Sequence, residues 1–134
     1  MAKADAYRID IPIYDLSVYV YIGETIKKSA KALNKAFPGM DLKLGNDINA
    51  YAIKAEHDQT GDALFAILLK RAPLTTTSIA TITHEAYHIT NYLTEYIGIK
   101  QDFGNDEAQA YMLGFIVEQI LDVYTSYTGA EEPL

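Results

Sequence analysis

His84-Glu85-Ala86-Tyr87-His88 sets two imidazoles and a carboxylate within one short run. It lies inside Thr75 to Gly98, a stretch whose apolar spacing predicts a helix. At about 100° per residue, positions four apart stack one turn above the other, so His84 and His88 project side by side. Two imidazoles so placed can grip one tetrahedral zinc ion, and Glu85, on the neighbouring azimuth, can reach a water on the open coordination position. Ile79, Ile82, Ala86, Ile89, Leu93, Tyr96 and Ile97 follow the 3-4-3-4 spacing of a buried stripe. The middle of that stripe lies roughly 150° from the mean direction of the histidines. One side of the helix therefore faces a core and the histidines face a cleft. The competing reading is an exposed helix with two surface histidines and an ordinary glutamate.

A third ligand decides between these readings. Between His88 and Glu107 lie two turns of helix, the Gly98 stop, a short loop and the first turn of a last helix. That geometry can bring Glu107 back to the histidine pair. A carboxylate in a first helical turn also sits in the positive end of the macrodipole, which favours its ionised, metal-binding form. His84, His88 and Glu107 then make a two-histidine, one-glutamate site with water in the fourth place.

With these three residues, the chain resembles the gluzincin metallopeptidases, whose signature is HExxH followed, after a helix and loop, by a glutamate in an E-x-x-A context. Here that context reads Glu107-Ala108-Gln109-Ala110. The resemblance is strongest to the small single-domain kinds, the minigluzincins and the ImmA/IrrE-type proteins of bacteria and phages, and it covers about residues 75–125. It implies a zincin-like α+β domain that hydrolyses peptide bonds with Zn2+, with Glu85 as the base and a peptide or protein as substrate. It also implies a small sheet over the active-site helix, with an edge strand offering backbone hydrogen bonds to an extended peptide. Ala63 to Lys70 is the candidate for that strand. The chain departs from the larger gluzincins in carrying Tyr111 where they commonly have an acidic residue four positions after the ligand glutamate. Tyr111 can supply a hydroxyl to the site, as a partner of a ligand or as a donor to a developing oxyanion, or it is a core tyrosine. A non-catalytic, zinc-containing binding or regulatory module with the same fold is the alternative function.

The remaining segments must position these groups. Tyr7 to Tyr14 reads as an edge strand or extended arm, because Pro12 lacks a ladder donor. Leu16 to Ile22 reads as a strand with Val18, Val20 and Ile22 on one face and Tyr19 and Tyr21 on the other. Glu24 to Phe37 carries Ile26, Ala30, Leu33 and Phe37 at helical spacing with lysines opposite, and Pro38-Gly39 ends it. Asn49 to Glu56 and Asp62 to Arg71 are strand candidates joined through Asp58-Gln59-Thr60-Gly61, with His57 a polar turn residue. Gly98 stops the histidine helix, and Asn105 caps a last helix, apolar nearly all round and expected to be sandwiched inside the domain. Together these elements predict an α+β fold: a small, mostly antiparallel sheet of about three strands packed on the histidine helix and the glutamate-bearing helix.

A chain of 134 residues fits one domain, 1–134, with loose ends at 1–6 and 128–134. Its net charge of −7 and the lack of any lysine cluster beyond Lys27-Lys28 with Lys31 and Lys35 argue against nucleic acid as a partner. No apolar run approaches a membrane span, and the amino terminus lacks a signal-peptide layout, so the expectation is a cytoplasmic protein. With no cysteines, only His, Asp and Glu remain as metal ligands. Oligomeric state is not readable from these residues.

Overall fold

The computed structural model describes residues 4–45, 47–56 and 61–128. The elements run in the order β1 (Asp5–Ile11), a 3-10 turn (Pro12–Tyr14), β2 (Leu16–Gly23), α1 (Ile26–Ala36), β3 (Ala50–Glu56), β4 (Ala63–Lys70), α2 (Thr76–Tyr96) and α3 (Glu107–Thr128). The expected turn at His57 to Gly61 falls almost wholly outside the described residues, as do residues 1–3 and 129–134, whereas Asp5 and Ala6 of the expected loose leader belong to β1. The fold is α+β, with a four-stranded mixed sheet in the order β1-β2-β4-β3.

Each strand reflects its own residue pattern. β1 pairs antiparallel with β2, matching Ile9 with Val18 and Ile11 with Leu16. Pro12 falls just past the ladder, in the 3-10 turn, so its missing N–H costs no strand bond. Asp15 closes this hairpin in the left-handed conformation (φ 52°), its N–H reaching the Pro12 carbonyl. In β2 the alternation holds: Val18, Val20 and Ile22 are fully buried among α2 and α3 residues, while Tyr19 and Tyr21 face α1. β4 runs parallel to β2 and antiparallel to β3. The sheet is mostly antiparallel, as expected, with β2–β4 its one parallel pairing among the described residues, but it has four strands rather than about three because β1 is a full strand.

The apolar run of β4 has a consequence for peptide binding. Phe65, Ile67 and Leu69 pack into the α2 side and Ala66 and Leu68 into the α1 side, all at most 2% exposed. Each large apolar side chain buried in this way contributes roughly 1.5–3 kcal/mol. A strand covered on both faces is also flanked on both edges here. Ala63 to Lys70 therefore cannot be the edge strand that meets an extended peptide. The edges are β1 and β3.

α1 covers one face of the sheet through Ile26, Ala30 and Leu33, with Ser29 Oγ donating to the Leu69 carbonyl at 2.8 Å. A Cβ at Gly23 would come within 2.9 Å of Ser29 Oγ and 3.0 Å of its backbone nitrogen, so glycine lets α1 approach β2 this closely. On the other face α2 begins at Thr75, whose hydroxyl accepts from the Ser78 N–H. It ends at Gly98 (φ 86°), with Ile99 N bonded to Thr94 O and Gly98 N to Glu95 O, the double bond of a Schellman stop.

α3 is not sandwiched. It packs one face, Ile116, Ile120 and Tyr124, into the core with α2, and leaves Tyr111 and Gly114 open to solvent. Its first intrahelical bond, Ala110 N to Asp106 O, puts Asp106 rather than Asn105 at the capping position.

Burial of Tyr124, whose hydroxyl donates to the Lys70 carbonyl at 3.0 Å, pushes its pKa above the ordinary 10.0. The folded state then holds the neutral phenol more firmly than the unfolded chain does. This stabilisation is complete below about pH 10 and is lost as pH rises through the folded pKa. Tyr124→Phe is expected to lower stability at neutral pH by about 1 kcal/mol and to flatten the alkaline loss. Thermal melts between about pH 8 and pH 11 check this, and an unchanged alkaline slope in the Phe protein contradicts it.

Candidate metal centre

α2 carries two opposed faces, and the sheet decides which is which. Ile82, Ala86, Ile89 and Leu93 are at most 2% exposed, whereas the His84 side chain is 67% exposed. The core stripe is thus as the sequence predicts in its middle and shorter at its ends, where Ile79 and Tyr96 are exposed. The histidines point away from the core.

His84 Nε2 and His88 Nε2 stand 3.3 Å apart, with their rings edge to face. Two nitrogens each about 2.0–2.1 Å from one tetrahedral zinc ion are separated by about 3.3–3.4 Å, so the spacing of the pair matches that of two ligands on such an ion. The same separation admits an N–H···N hydrogen bond between neutral imidazoles, on the long side of the usual range. Glu85 lies beside them, its side chain 13% exposed and its Oε2 3.8 Å from His84 Nε2. The three members of the HExxH run that can do chemistry are therefore brought together.

Glu107 and Tyr111 are not. Nine helical steps of about 100° separate Glu107 from Ile116, so the two project in opposite directions, and Ile116 is the one in the core. Glu107 is exposed at the start of α3, and Tyr111, one turn on along the same outer face, is 76% exposed. Asp106 is exposed as well. Among the described residues, no three His, Asp or Glu side chains gather into a ligand set.

Gln109, not Glu107, meets α2 from the first turn of α3. Its Nε2 donates to Asn91 Oδ1 at 2.5 Å, and Gln101 Nε2 in the connecting loop donates to the same oxygen at 2.7 Å. Asn91 lies one turn beyond His88 on the histidine face, so these amides tie α3 to α2 beside that face. Among the described residues, Gln109 Oε1 is buried without a hydrogen-bond partner. The alternation of β3 turns Ala52 into the core and brings Lys54, on the same face, across to α2. Lys54 Nζ is 2.7 Å from Glu95 Oε1 and 5.5 Å from the centre of the Tyr92 ring. Tyr92 in turn stacks on His88, the two rings inclined by 20°. Lys54 escaped the sequence reading because only strand register and sheet order reveal which helix it reaches. Asn91 could have been found, since it falls seven residues after His84 on a face already assigned.

A hollow of about 740 Å³ is lined by Tyr19, Phe37, Met40 and Leu64 on the α1 side of the sheet, away from the histidines. Among the described residues no helix is long and apolar enough to cross a membrane. No protein-family model, curated protein or solved structure matches the chain.

Proposed function

We propose that this protein is a zincin-like, metal-dependent hydrolase of peptide bonds, in which His84 and His88 hold a zinc-type ion and Glu85 is the general base. The 3.3 Å separation of the two Nε2 atoms carries the reading. A bound ion of this kind lowers the pKa of a coordinated water and polarises a carbonyl. Glu85, its Oε2 3.8 Å from His84 Nε2, would be the group placed to accept a proton from a water held there and to pass it to the leaving amine. β3, paired on one side only among the described residues, supports an extended peptide along its free edge beside the histidine face.

A second reading, a metal-containing module that binds without cleaving, is favoured by one observation: Glu107 faces outward, so two side chains rather than three hold the ion. Elemental analysis of protein purified without added metal, paired with a peptide-library cleavage assay, tests both. One zinc-type ion per chain with cleavage is the expected result. Ion without cleavage selects the binding module, and protein free of metal overturns both.

A further inference from the structure

We propose that Lys54 selects substrates bearing a carboxylate a few residues from the group seated at His84 and His88, an inference that rests on the peptide-hydrolase reading. Lys54 stands on the edge strand along which an extended peptide would lie, and its ammonium reaches over the Tyr92 ring, one ring beyond His88. The ammonium lies 5.5 Å from the Tyr92 ring, whose centre is 6.4 Å from that of His88, so a peptide advancing about 3.3 Å per residue along a strand meets it within about four residues of the histidines.

The residues around the ammonium permit the exchange such binding needs. Its partner Glu95 is exposed, as is Lys54 itself, and exposed pairs contribute little, so an incoming carboxylate displaces or shares Glu95 at small cost. An ammonium has three donors, and Glu95 Oε1 accepts from it at 2.7 Å. The Tyr92 face fixes the cation further by cation–π attraction. Hydrogen bonding to Glu95 raises the Lys54 pKa above its ordinary value. The ligand chemistry is a carboxylate, supplied either by an Asp or Glu side chain or by a free peptide C-terminus.

The test measures calorimetric binding to the full-length, zinc-loaded Glu85→Gln protein, which separates binding from turnover. Three peptides of one length are compared: an acidic side chain with an amidated end, a neutral peptide with a free carboxylate end, and a neutral amidated peptide. A carboxylate-bearing peptide is expected to bind about two- to fivefold more tightly than the neutral amide, and the arm that does so identifies the source. Adding Lys54→Gln is expected to erase that ratio. Lys54→Glu is expected to invert it toward basic peptides, and Glu95→Gln to enlarge it. Lys35→Gln, on α1 across the sheet, controls for net charge and is expected to leave the ratio intact.

Equal affinity for all three peptides, no binding of any, or a preference that survives Lys54→Glu overturns the role of Lys54. Parent protein that cleaves acidic and neutral peptides equally well overturns it too, while leaving the hydrolase reading in place. Lys54-dependent binding by a protein that cleaves nothing does the reverse.

Discussion

Glu85→Gln is expected to keep the bound ion at the parent stoichiometry and to lower peptide turnover by about 10²- to 10⁴-fold. The substitution keeps the size and planarity of the side chain, so a group only 13% exposed is replaced without opening a cavity. Neighbouring Ala86, fully buried against the sheet, is left as it is. What is lost is the capacity of Oε2 to take a proton. Because the proposed ligands are the histidines, the affinity for the ion is expected to change little. Elemental analysis and chromatographic cleavage assays on the same preparations separate the outcomes. Parent-like cleavage removes Glu85 as the base, and loss of the ion makes Glu85 a ligand instead.

How far the site could be read in advance differs from residue to residue. The histidine face of α2 was legible because Ile82, Ala86, Ile89 and Leu93 fix the phase of the helix, and the sheet covers that stripe. Ile79 and Tyr96 fit the same periodicity but lie near the two ends of α2, and both are exposed. Periodicity marks a face and cannot say how far cover extends. β4 was legible as a buried run but not as an interior strand. Which strands flank a run depends on the parallel pairing with β2, and no local residue pattern encodes that pairing.

α3 misled for a different reason. Its apolar residues lie nearly all round, so composition suggested burial on every side, whereas it packs on one side and leaves Tyr111 and Gly114 exposed. A phase was nonetheless present in Ile116, Ile120 and Tyr124, four residues apart. Extended back to Glu107, it places that carboxylate on the far side of the helix.

That phase makes the fate of Glu107 the sharpest question about the ion. His84→Ala and His88→Ala are each expected to weaken metal affinity by more than the roughly 10- to 100-fold typical of losing an outer hydrogen-bond partner, and to abolish hydrolysis with it. Glu107→Ala is expected to leave metal affinity unchanged, because the side chain sits on the outer face of α3. Competition titrations with a chromogenic chelator measure all three. If Glu107→Ala also strips the ion, the first turn of α3 must turn inward when metal binds, and the bond from Gln109 to Asn91 must break. That bond would then oppose metal binding, and by linkage Gln109→Ala would raise affinity. If the outward placement holds, Gln109→Ala can only loosen the α2–α3 junction, lowering stability without tightening the ion. The sign of that one change therefore separates a two-histidine centre from a three-ligand centre completed by a moving helix.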